Sequence, residues 1–249
     1  MEELNKRFII SNSITTFLHE MGHALIRDYE IPVLGKEEDA CDNFQTYYLI
    51  VTKDYKSYYQ DNYDYYLKFF HAILEDTADY WFYFHANKMD IHDNPFGSHS
   101  LTTERYNQMI SMMYHGNKES FSAYFKKRNI PINFLSESDD SYSLVSSTWQ
   151  NIYNDNINKK YNGNFTLKFE NTSEFYDYRK IIEKSEFMND EILFNNFYFP
   201  LKEDIQIIFR DYKNNDVGAG FYNPLSREIV ITYNYLKEFD NLYKNYNKG

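Results

Sequence analysis

Apolar residues in the first two thirds of the chain recur with the period of an α-helix. Between Leu67 and Ala86 they return every three or four positions, which is the spacing of one buried helical face. Ser11, Asn12 and Ser13 offer N-caps for an earlier helix that starts there and carries apolar residues on to Ile26. The helices predicted further along the chain cover residues 102–114, 120–127 and 142–154.

The pattern changes after the polar stretch 154–163, which is the best linker candidate. Phe165, Leu167 and Phe169 alternate with polar residues, as a half-buried strand requires. More strands are expected at 205–209, 219–222 and 228–233, the last two as a hairpin joined through residues 223–226; helices are expected within 174–199 and over 235–246. We therefore predict a helical part, residues 1–155, and a strand-containing part, residues 162–249, which together complete one single domain.

The segment His19-Glu20-Met21-Gly22-His23 places two imidazoles and a carboxylate in the pattern HExxH. Residues four apart share one helical face, so His19 and His23 are positioned to bind one metal ion. Glu20 can then act as the general base on a metal-activated water. The same pattern also occurs in buried helices that bind no metal. The neighbouring segments are therefore needed to judge whether it forms a metal site here.

A third metal ligand is expected from the helix predicted to follow, because three protein ligands leave an open position for water. Pro32 and Gly35 end the first helix, and an acidic run begins the second. Glu38 is the preferred ligand and Glu37 the alternative. Asp42, four residues after Glu38, would orient a ligating histidine by a hydrogen bond.

These two segments resemble a zinc metallopeptidase family built on a domain of unknown function. The resemblance is carried by His19-Glu20-Met21-Gly22-His23-Ala24-Leu25-Ile26 and by the run from Pro32 to Asp42, which contains Glu37-Glu38-Asp39-Ala40. Segments beginning at His99 and at Phe221 are also similar. The family implies a gluzincin-like site and a zincin-like fold, in which a β-sheet packs on the HExxH helix. With the pattern of this chain, we expect a mostly helical α+β fold whose small β-sheet is C-terminal.

The order of the segments departs from the family pattern. In the family the strand-rich part precedes the HExxH helix, whereas here the hairpin lies near the C-terminus. We interpret this as a circular permutation, in which the strands of residues 200–232 lie against the helix of His19. The resemblance also nominates His99 as the donor to the oxyanion of the transition state, with Tyr222 or Tyr233 next.

Composition limits the classes of binding partner, the disulfide content and the location of the protein in the cell. The net charge of −11 argues against nucleic acid, since no basic stripe offsets it. The single cysteine, Cys41, excludes an intrachain disulfide. No apolar run is long enough to span a membrane and no signal peptide is visible, so we expect a cytoplasmic protein, or one exported after removal of a signal that this chain lacks.

The sequence therefore predicts a zinc-dependent hydrolase, with Zn²⁺ bound by His19, His23 and Glu38 and a peptide or protein as substrate. Glu20 would act as base, and His99 or Tyr233 as oxyanion donor. The alternative is a structural or vestigial zinc domain that serves as a protein-binding module. In that case a protein side chain would close the fourth zinc position.

Overall fold

The computed structural model describes residues 2–50, 63–86, 100–137, 141–212 and 218–247. The chain divides into two compact units. The first consists of Met1–Leu34 together with Asn151–Gly249, and the second of Gly35–Gln150. The HExxH helix therefore groups with the strand-containing part, while the domain boundaries predicted from the sequence stay a prediction.

Among the described residues, strands occur in the last third of the chain, together with helices. The helices are α1 (Glu2–Tyr29), α2 (Glu37–Ile50), α3 (Tyr63–Ala86), α4 (Thr102–Asn117), α5 (Ser122–Lys127), α6 (Ile132–Ser136), α7 (Ser141–Asn156), α8 (Tyr176–Ser185), α9 (Phe187–Tyr198) and α10 (Tyr233–Tyr246). The strands are β1 (Phe165–Phe169), β2 (Ile205–Arg210), β3 (Gly220–Asn223) and β4 (Glu228–Thr232). These bounds confirm most of the predicted elements to within a few residues; α6 was not predicted.

The four strands of the first unit form one mixed sheet in the order β1-β2-β4-β3. β2 pairs in parallel with both β1 and β4, whereas β3 and β4 form the predicted antiparallel hairpin. Ile207, Ile208 and Phe209 of β2 are successive and all buried, so both faces of the sheet are covered. This burial on both faces is typical of parallel strands.

The start of α1 was predicted incorrectly, because the helix begins at Glu2 and runs for 28 residues. Asn12 and Ser13 are buried inside it and bind their own helix, donating to the carbonyls of Phe8 and Ile9, each at 2.8 Å. Short polar side chains can satisfy themselves in this way in the middle of a helix as well as at its start. They are therefore not N-caps here.

The predicted end of α1 is confirmed. Glu30 adopts a left-handed conformation with φ of 57°, and the N–H of Ile31 donates to the carbonyl of Ile26 at 3.0 Å. The N–H of Glu30 also donates to Arg27, which completes a Schellman motif. Pro32 follows where the helix cannot continue.

Strands β3 and β4 pack against α1, as do helices α8 and α10. Phe17 of α1 meets Phe165 of β1 edge-to-face, with ring centroids 5.8 Å apart. The predicted fold, a mostly helical α+β protein with a small sheet on the HExxH helix, is confirmed.

In the second unit, α2, α3 and α4 pack on one another. Phe44 of α2 packs tilted on Trp149, with ring centroids 4.4 Å apart. In the parts of the chain that the structure describes, no helix combines the length and the apolar character that crossing a bilayer requires.

Candidate metal centre

The two histidines of the HExxH segment lie one turn apart in the middle of α1. His19 is buried and His23 is partly exposed. Their ring centroids are 5.2 Å apart, and the rings are inclined by 73°. The apolar neighbours Leu18, Met21 and Ala24 are completely buried. The packing of α1 therefore fixes the helical face from which the imidazoles project.

The distance between the His19 and His23 rings bears on whether both can bind one metal ion. A zinc ion lies about 2.1 Å from each ligating ring nitrogen, so two imidazoles that share an ion must lie close together. The observed separation is 5.2 Å. The two rings are therefore close enough for one metal ion to be reached from both.

Glu20 is almost completely buried, with 7% of its surface exposed. The backbone of β3 passes directly beside it. A Cβ atom added at Gly220 would lie 3.5 Å from Cγ of Glu20, 2.8 Å from Cγ2 of Thr16 and 2.8 Å from the carbonyl oxygen of Val230. A glycine is required here because strand and helix approach too closely for a side chain.

β3 is the last strand of the sheet. In the described residues it pairs with β4 alone, on one side. The backbone groups of such an edge can accept another chain in extended conformation. An edge strand thus runs beside the carboxylate of the HExxH segment.

The second unit carries the acidic candidates. Glu37 and Glu38 form the first turn of α2, and both are partly exposed. Asp42, one turn later, forms a bidentate ion pair with Arg105 of α4. Nε of Arg105 donates to Oδ2 at 2.5 Å, and Nη2 donates to Oδ1 at 2.7 Å.

The tyrosines proposed as oxyanion donors occupy different environments. Tyr233 is fully buried at the start of α10, and its hydroxyl donates to the carbonyl of Glu170 at 3.1 Å. Burial raises its pKa. Tyr222 of β3 is half-buried, and burial raises its pKa also. His99 lies outside the described residues.

The contacts of two residues, Gly220 and Arg105, were missed in the sequence. Gly220 was read only as part of a strand, although a glycine inside a strand pattern can indicate a close backbone approach. Arg105 gave no signal that it pairs with Asp42, since 63 positions separate the two residues. Both became visible only when the fold brought their partners together.

Comparison with known proteins gives one match. The model of the family DUF4344, described as "Putative metallopeptidase", matches residues 2–153. The matched range contains α1, the acidic start of α2 and Arg105. No curated protein and no solved structure matches the chain.

Proposed function

Because the chain belongs to the DUF4344 family, described as putative metallopeptidases, we propose that it hydrolyses peptide bonds with a zinc ion held by His19, His23 and Glu38. The observation that carries the proposal is the pair of imidazoles on α1. The two rings lie one turn apart on one helical face with their centroids 5.2 Å apart, so both can reach a single ion.

Glu38 is proposed as the third ligand for a reason of chain connectivity. α1 ends at Tyr29 and α2 begins at Glu37, so a short segment tethers the acidic turn to the histidine helix. A carboxylate from the next helix completes a set of two nitrogens and one oxygen, which is a donor set found in catalytic zinc sites. Glu37 is the alternative, and Asp42 is proposed to orient a histidine.

When bound, zinc would lower the pKa of a water molecule towards neutrality and polarise the scissile carbonyl. Glu20 is the proposed general base. Its carboxylate takes a proton from the attacking water as the oxygen adds to the carbonyl carbon. The same carboxyl then returns the proton to the amide nitrogen as the carbon–nitrogen bond breaks.

His99 is proposed to donate a hydrogen bond to the oxyanion, with Tyr222 and Tyr233 as alternatives. The substrate is proposed to be a peptide in extended conformation. It would add to the edge of β3, whose backbone passes beside Glu20 at Gly220.

The first experiment is elemental analysis of the purified protein beside His19→Ala, Glu38→Ala and Glu37→Ala. We expect about one zinc per chain, lost in His19→Ala and in Glu38→Ala but kept in Glu37→Ala. If zinc were lost in Glu37→Ala but kept in Glu38→Ala, Glu37 would be the third ligand in place of Glu38. Wild-type protein that takes up no zinc at neutral pH would overturn the proposal.

The second experiment separates catalysis from zinc binding. Glu20→Gln should keep the zinc content and lose hydrolysis of a peptide library, since the amide cannot accept the proton. A Glu20→Gln variant with full activity would remove Glu20 from the mechanism. Zinc binding with no hydrolysis by the wild type would favour the protein-binding alternative.

A further inference from the structure

Arg105 of α4 is held by an ion pair and by an aromatic ring. Its side chain is 13% exposed, and that of its partner Asp42 is 14% exposed. Besides the two hydrogen bonds to Asp42, the guanidinium lies over the ring of Trp81, 4.0 Å from the ring centre. The planar guanidinium makes both hydrogen bonds to Asp42 in one plane. Its contact with the Trp81 ring restricts the orientation of that plane.

The pair does not lie within an apolar core. Asp42, Trp81 and Arg105 line a cavity of about 280 Å³, together with polar residues such as Asp39 and Ser100. Apolar packing alone therefore does not account for its position. The bidentate contact instead ties the second turn of α2 to α4. Within this unit, α2 packs on α4 and on α3.

The link to Glu38 follows from helical geometry. Glu38 lies four residues before Asp42, so the two carboxylates share one face of α2. Burial lowers the pKa of Arg105. The negative charge of Asp42 outweighs burial, and the charge of Glu38 acts in the same direction as Asp42, so the pKa of Arg105 is raised. The positive charge of Arg105 thus acts on both carboxylates.

We propose that Arg105 is a positioning residue for the metal centre, which holds the first two turns of α2 through Asp42 and so fixes the Glu38 carboxylate for zinc. This inference rests on the proposed function. Groups that orient metal ligands usually affect metal affinity by 10- to 100-fold without touching the ion. Arg105 is suited to this role because a bidentate guanidinium fixes direction as well as charge.

The same unit provides a matched control. Arg128 forms a comparable buried pair with Asp79, with Nε to Oδ1 at 2.7 Å and Nη2 to Oδ2 at 2.6 Å. Its guanidinium also lies 5.0 Å from the centre of the Tyr83 ring. Loss of Arg128 therefore removes a comparable ion pair without involving α2, although Lys127 still donates to Asp79 at 3.3 Å.

The test measures the zinc dissociation constant by competition with a chromophoric chelator. Arg105→Gln should weaken zinc binding by about 10-fold or more. Arg105→Lys should weaken it less, because lysine keeps the positive charge but cannot form the bidentate contact with Asp42. Arg128→Gln should stay within about twofold of wild type. Glu38→Ala should lose its zinc during purification but keep a weak site in His19 and His23, so its affinity is measured by direct zinc titration. In this background Arg105→Gln should change the weak affinity by less than about twofold, since its effect passes through Glu38.

The outcomes separate the two proposals. If wild type binds zinc through Glu38, but Arg105→Gln and Arg128→Gln have equal affinities, the positioning role is wrong while the proposed function stands. If Arg105→Gln weakens binding equally with and without Glu38, its effect is general destabilisation and the inference is overturned. If wild type binds no zinc, both proposals fail. Should Arg105→Gln not fold, Arg105→Lys decides: an unchanged affinity overturns the inference and a weaker one supports it.

Discussion

Asp28 and Arg227, 199 positions apart in the chain, form a bidentate ion pair with nitrogen–oxygen distances of 2.9 and 3.0 Å. Asp28 belongs to the last turn of α1, and Arg227 ends the hairpin turn between β3 and β4. Arg227 also donates to the carbonyls of Glu203 and Asp204, at 2.8 and 3.2 Å. One guanidinium thus connects the helix of the candidate site to the hairpin and to the segment before β2.

Arg227→Gln should therefore destabilise the protein. The Asp28 carboxylate is almost completely buried and would lose its charge partner, which typically costs about 3 kcal/mol. The measurement is urea unfolding at neutral pH. Lys202→Gln is the control, because Lys202 pairs with the exposed Glu30 at 2.6 Å, and its loss should leave the free energy of unfolding unchanged. Equal stabilities of the two variants would contradict this prediction.

Gly220→Ala should lower both stability and activity. The new methyl group would meet the Val230 carbonyl and the Thr16 side chain, each at 2.8 Å, so β3 must move away from α1. Such overpacking typically costs about 1–3 kcal/mol. Because the same shift displaces the strand beside Glu20, we expect kcat/KM for peptide hydrolysis to fall even at temperatures where the variant is folded.

The control for this change is Gly218→Ala, two residues earlier. A Cβ at Gly218 would have no atom within 4 Å, and the position is exposed. This variant should keep wild-type stability and activity. If Gly220→Ala behaved in the same way, the close approach of β3 and Glu20 would have no functional importance.

Asp240 of α10 should make the protein sensitive to acid. Burial raises the pKa of its carboxyl, but hydrogen bonds from Asn5, Lys244 and Tyr178 outweigh burial and hold that pKa below its ordinary value. The stabilisation is therefore complete above the unfolded-state pKa of about 3.9, and it is lost as the pH falls through the lower folded-state pKa. In Asp240→Asn, the free energy of unfolding should fall less steeply between pH 5 and pH 2. A wild-type slope in this variant would show that other carboxylates dominate.

The oxyanion donor can be identified by comparing His99→Ala with Tyr233→Phe. Loss of an oxyanion donor typically lowers kcat by about 100-fold or more, and we expect this in His99→Ala. Tyr233→Phe should mainly lower the free energy of unfolding by about 1 kcal/mol, because the Tyr233 hydroxyl already donates to the Glu170 carbonyl. A large loss of kcat in Tyr233→Phe with unchanged KM would instead make Tyr233 the donor.

The sequence predicted the elements of this fold well where hydrophobic periodicity was strong. It failed at the start of α1, since Ser11, Asn12 and Ser13 have the composition of a cap. Their ability to bond the preceding turn depends on neighbours that periodicity does not describe. The polar start of the helix, from Glu2, carries too few apolar residues to reveal its period.

Long-range features of the site were harder to predict. The hairpin of β3 and β4 was expected against α1, as the proposed permutation requires, and it packs there. The permutation itself remains a prediction, because the family match ends at residue 153 and does not include the strands. The Asp42–Arg105 pair could not be predicted, since charge pairing across 63 residues depends on a specific packing of α2 and α4.

The distance along the chain between Asp28 and Arg227 also bears on the order of events during synthesis. The histidine helix leaves the ribosome early, but the hairpin that packs on it follows only about two hundred residues later. Contacts of such long separation form late, because closing a large loop costs entropy before the contact is made. A ribosome-bound chain that stops before the hairpin would carry the complete HExxH segment but not the strand beside Glu20. If the proposed hydrolysis depends on that strand, it would begin only after the hairpin has emerged.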